Sequence, residues 1–83
     1  MQAELDEQTR ELIAIGAAIG AHCQPCLIYH LSKAKELGIE GGLIRAAMEE
    51  AQLVEQGAMA AMQELAKRFL KTLPPDGAAG DAK

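Results

Sequence analysis

Apolar residues recur along this chain at spacings of three and four, the repeat of a helix surface. Leu12, Ile15 and Ile19 form one such stripe, with Ile13 on a neighbouring face. Asp6 stands at its start as an N-cap, with Thr9 three residues on and the acidic Glu7 in the first turn. The pattern predicts a first helix from about Glu7 to Ala21. Leu27, Leu31 and Ala34 form a second stripe, predicting a helix from about Pro25 to Leu37 that Gly38 closes as a left-handed C′ residue. The connector Gly38-Ile39-Glu40-Gly41-Gly42 is short, and Ile39 is expected to tuck its side chain under the turn.

Leu43, Ile44, Ala47, Met48 and Ala51 predict a third helix from Glu40 or Gly42 to Val54. Met59, Met62, Leu65, Ala66, Phe69 and Leu70 predict a fourth from Gln56 to Leu73. Gly57 leaves two readings, a break between two helices or one bent helix. Methionine on such a stripe serves a core or a subunit interface. Gly16, Ala17, Ala18 and Gly20 are small, and Gly16 reads as a point of tight helix packing. Pro74 and Pro75 stop the last helix, and residues 74–83 carry no periodicity, reading as a disordered tail. The expected organisation is one domain over residues 1–73 followed by that tail. No strand-like alternation and no solenoid repeat is present.

The composition narrows this further. Hydrophobic content is 49% with only 2% aromatic, so the core is built from Ala, Leu, Ile and Met, which suits close-packed helices. An all-α fold of four or so helices follows. At 83 residues the core is marginal, and such chains lean on disulfides, metals or partner subunits. Two cysteines three apart cannot staple distant segments, which points to a homo-oligomer. The net charge of −4 and the lack of a basic patch with interleaved aromatics argue against nucleic acid. The polar, acidic Met1 to Arg10 is no signal peptide, and no apolar run approaches the roughly 18 residues of a membrane span. A cytoplasmic location is expected, where a C-x-x-C pair is catalytic or metal-binding more often than structural.

Chemistry concentrates in His22-Cys23-Gln24-Pro25-Cys26-Leu27-Ile28-Tyr29-His30, which holds both cysteines and both histidines. Cys23, Cys26 and His30 share a face if the stretch opens a helix, and Pro25 fits a first turn. Helix N-termini favour a thiolate. An imidazole in reach of Cys26 can take its proton, and the second thiol can close a disulfide. A metal site is the rival, with Cys23, Cys26 and His30 as ligands and Glu11 or His22 as a fourth. No second Cys knuckle is present to complete a structural zinc site. Haem attachment fails because Leu27 follows Cys26 where a His is required. His22 reads as surface or pocket rim, and Tyr29 as a subunit contact.

The segment from Glu11 to about Lys67 resembles the carboxymuconolactone decarboxylase-like superfamily, and within it the alkylhydroperoxidase AhpD-like branch. The pattern is Glu11, then Cys23 twelve residues on, Cys26, and His30 four after it. Cys-Leu-Ile-Tyr-His, the Gly-Ile-Glu connector and the Gly-Ala-x-x-x-Met of Gly57, Ala58 and Met62 match short single-domain members. The resemblance implies an all-α trimer or hexamer with thiol-dependent peroxidase or disulfide reductase activity and no cofactor. It makes Cys26 the attacking sulfur, Cys23 the resolving one, His30 the base, and Glu11 a proton relay near Cys23, through water. The substrate would be a small peroxide or disulfide, and the reductant a lipoyl-bearing or thioredoxin-like partner. Two-repeat AhpD proteins are about twice as long, and some peroxidases of the family carry His where Pro25 stands. The name-giving decarboxylases, as a group, do not rely on a Cys pair. The reading from a different class is a non-enzymatic helical oligomer whose dithiol senses redox state or binds metal.

Overall fold

The computed structural model describes residues 3–74, and among these it contains three helices and no strand. The first, α1, spans Glu7–Gly20. Asp6 caps it as expected: its Oδ1 accepts the Thr9 N–H at 2.7 Å. That bond favours the ionised carboxylate, so the Asp6 pKa is lowered. The cap therefore contributes fully above the ordinary aspartate value of about 3.9. Its contribution is lost as pH falls through the lower native value.

The second helix, α2, spans Gln24–Glu36. It ends as the sequence predicts, with Gly38 at φ +74° and Ile39 buried beneath the turn. The Ile39 N–H bonds the Ala34 carbonyl at 3.1 Å and the Gly38 N–H bonds that of Lys35 at 3.0 Å. These satisfy carbonyls that a helix end otherwise leaves bare.

The third helix, α3, runs unbroken over Gly41–Leu70. Of the two readings that Gly57 left open, the single helix holds, so the described residues form an all-α fold of three helices. The reason is energetic. A single interior glycine costs about 1 kcal/mol relative to Ala, which does not interrupt a run of Ala, Met, Glu, Gln and Leu. Ending a helix takes a proline or a competing cap, and none lies near Gly57.

The centre of the fold is α1, which packs against both α2 and α3. Ile15, Ala34 and Ile39 form the buried cluster, one residue each from α1, α2 and the second connector. Leu12, Leu27, Leu31, Ile44 and Met48 pack around it. Where α1 meets α3, a methyl built on Gly16 would sit 3.7 Å from the Ala51 Cβ, an ordinary contact. Smallness is what that approach needs, and alanine would meet it too.

At about 1.5 Å per residue, α3 rises roughly 45 Å and α1 about half that. The distal half of α3 therefore extends beyond α1 and α2. Met59, Met62, Phe69 and Leu70 are all more than half exposed. Among the described residues, these four side chains belong to no buried cluster. Residues 1–2 and 75–83, which include most of the expected tail, lie outside the described residues.

The two glycines predict opposite mutational effects. Gly38→Ala forces a Cβ into the left-handed region and is expected to lower stability by about 1–2 kcal/mol. Gly57→Ala, with open space around its Cα, is expected to raise it by about 1 kcal/mol. Urea unfolding of each variant, at one fixed protein concentration, checks both signs.

Candidate active site

The connector from α1 to α2 is only three residues, so the two helices fold back on each other as a hairpin. This brings Glu11, midway along α1, against His30, midway along α2. The His30 Nδ1 lies 2.7 Å from the Glu11 Oε1. Both side chains are largely withdrawn from water, with 28% of the His30 and 14% of the Glu11 side chain exposed. An ionised carboxylate only accepts, so His30 donates from Nδ1. In the neutral ring that leaves Nε2 with the free lone pair, which is the state of a proton acceptor. The Glu11 carboxylate, expected as a relay near Cys23, is held by its bond to the imidazole.

Cys23 is the N-cap of α2, at φ −100° and ψ 96°, and Pro25 lies in the first turn. The Cys23 carbonyl accepts the Leu27 N–H at 3.0 Å. The two cysteines form a disulfide with their Cα atoms 5.3 Å apart, a separation within the usual range. Cys26 is exposed while Cys23 is half-buried. Cys23 lines a hollow with Ala18, Ile19, His22, Gln24 and Leu27. The pair thus sits where a helix N-terminus offers unpaired N–H groups to an anion, and His30 follows Cys26 by one turn on the same helix.

The Tyr29 ring meets the His30 ring edge-on, with centroids 4.9 Å apart. Tyr29 itself is mostly exposed. His22 does not join the Glu11–His30 pair. It stands at φ +57° in the connector, and its Nε2 pairs with the Glu55 Oε2 on α3. Of the two fourth ligands considered for a metal, His22 is thus turned to Glu55, while Glu11 stays with His30. Among the described residues no group of three or more His, Cys, Asp or Glu is placed to hold a metal ion. No helix among them is long and apolar enough to cross a membrane.

Glu55 is the site neighbour that sequence reasoning missed. The sequence carried no signal for it, because the left-handed backbone that aims His22 is visible only in the structure.

A family model for the carboxymuconolactone decarboxylase family matches residues 1–68. The chain belongs to that family. No curated protein and no solved structure matches the chain. Family membership and the cysteine pair together are compatible with a redox role of the AhpD type.

The difference in exposure predicts the order of thiol reactivity. After reduction, a limiting amount of iodoacetamide at neutral pH is expected to label Cys26 before Cys23. Peptide mass spectrometry of a time course reads the order directly.

Proposed function

We propose that this chain is a thiol-dependent oxidoreductase that reduces hydroperoxides or small disulfides. The observation that carries the reading is the Glu11–His30 hydrogen bond, made across the hairpin that also holds the Cys23–Cys26 pair. A carboxylate that orients an imidazole beside a nucleophile is the recurring arrangement for activating it.

In this reading the dithiol form is the resting reductant. His30 Nε2 takes the Cys26 proton, and the helix N-terminus favours the resulting thiolate. The sulfur attacks the distal peroxide oxygen, the O–O bond breaks, and Cys26 becomes a sulfenic acid. The departing alkoxide takes the proton from His30. Cys23 then attacks the sulfenic sulfur, the S–S bond forms, and water leaves. A dithiol reductant returns two electrons and two protons by thiol–disulfide exchange. Summed over the cycle, one hydroperoxide and one external dithiol yield an alcohol, water and one disulfide. Glu11 stabilises the imidazolium that exists between the two proton transfers. The external dithiol would be a lipoyl group or a thioredoxin-like protein, either of which can reach the exposed Cys26.

The working unit would be a homo-oligomer. Its support is the apolar stripe on the distal half of α3, which the single chain leaves bare. Patches of this kind mark association surfaces.

Peroxide consumption with a small dithiol as reductant tests the assignment. Cys26→Ser is expected to abolish turnover, since no sulfur remains to attack. His30→Gln is expected to lower the rate about 10²–10⁴-fold, the usual contribution of a positioned proton acceptor. Glu11→Gln is expected to fall between wild type and His30→Gln. Wild-type rates from Cys26→Ser and His30→Gln would remove these roles. Negligible turnover by the unaltered chain would leave the redox-sensing oligomer as its function.

A further inference from the structure

Both connectors begin with the same backbone device, yet fill its central position differently. After α2, the left-handed residue is Gly38. After α1 it is His22, whose N–H bonds the Ile19 carbonyl at 3.1 Å while the Cys23 N–H bonds that of Ala18 at 2.9 Å. This is the Schellman pattern, in which glycine is the usual occupant because a Cβ crowds the neighbouring carbonyl. His22 is the one non-glycine residue at positive φ among the described residues. Glycine would ease the backbone there, so the histidine is explained by its side chain. That side chain reaches across to Glu55 on α3.

The position is adjacent to the chemistry. His22 is bonded directly to Cys23, the N-cap of α2. The helix α2 reaches α3 mainly through α1, which packs on both. The His22–Glu55 pair is a second link, made at the end of the hairpin that carries the sulfurs. We propose that His22 is a positioning residue: held to Glu55, it keeps Cys23 within closing range of Cys26 once their disulfide has been reduced. The idea rests on a redox-active Cys23–Cys26 pair. It does not rest on a peroxide substrate or on His30 as the base.

The measurable quantity is a thiol–disulfide equilibrium. The protein disulfide and two molecules of glutathione give the protein dithiol and one glutathione disulfide, with two electrons and two protons moving to the protein. Backbone strain at His22 is present in both forms and cancels. The tether acts on the dithiol, where it limits how far Cys23 can move away. A high effective concentration of one thiol at the other favours the closed disulfide. Because the pair is exposed, its influence is bounded at about two- to fivefold. That corresponds to roughly 10–20 mV in a two-electron potential.

The test equilibrates the full chain in graded glutathione buffers, traps free thiols by alkylation, and counts them by mass. The variants are Glu55→Ala, His22→Asn and the two combined. Asparagine tolerates the left-handed backbone but is too short to hold Glu55. Each single variant is expected to shift the equilibrium toward the dithiol by about two- to fivefold, with the double variant no further displaced than either. The proposal fails if Glu55→Ala leaves the equilibrium at its wild-type value or moves it toward the disulfide. It also fails if His22→Asn acts while Glu55→Ala does not, or if the two effects add. Peroxide turnover is not part of the readout, so this idea and the proposed activity can fail separately.

Discussion

A chain of 83 residues that puts thirty of them into one helix has little left with which to cover that helix. The cluster of Ile15, Ala34 and Ile39 closes the junction of α1, α2 and the proximal half of α3. Beyond Ala51 the long helix continues with Leu53, Val54, Met59, Met62, Phe69 and Leu70 all more than half exposed. Hydrophobic burial is the main favourable term in folding, and a buried set this small balances chain entropy only narrowly. Association through α3 would bring that stripe out of water and supply what one subunit lacks. The folding of the hairpin and the assembly of subunits would then share a single helix, its proximal half turned inward and its distal half outward.

The chemistry sits beside the middle of that long helix, where His22, next to Cys23, meets Glu55. A three-residue connector forces α1 and α2 into contact, and the contact sets Glu11 against His30. The sulfurs occupy the first turn of α2, where unpaired N–H groups and the helix dipole favour negative charge. Helices carry Glu11, Cys26 and His30, and Cys23 caps α2, which limits their drift. No long loop is involved, so the geometry follows from helix packing rather than from a segment that must order separately.

Most of α1 and α2 was legible because their signals are local. Asp6 bonding Thr9, Gly38 in a left-handed turn and Ile39 beneath it each depend on a few neighbouring residues, and each lies where the pattern put it. The boundaries differ by a residue, as helix ends ordinarily do. Continuity through Gly57 was not legible, since a penalty of about 1 kcal/mol cannot by itself distinguish a kink from an unbroken helix. Nor was the exposure of Met59 through Leu70, because a helical stripe looks the same whether it faces a core or another subunit. At the site, the Glu11–His30 contact joins two helices, and only the family pattern flagged Glu11. The His22–Glu55 contact depends on where α3 lies, and nothing in the spacing of those two residues announced it.

The disulfide joins the cap and first turn of one helix, and so encloses a loop of almost no length. Cross-links stabilise a fold in proportion to the freedom they remove from the unfolded chain, and short loops remove the least. Opening this bond therefore costs the fold less than opening a cross-link between distant segments would. In the proposed redox cycle, opening and closing so short a loop would leave the packing of Ile15, Ala34 and Ile39 to hold the hairpin together.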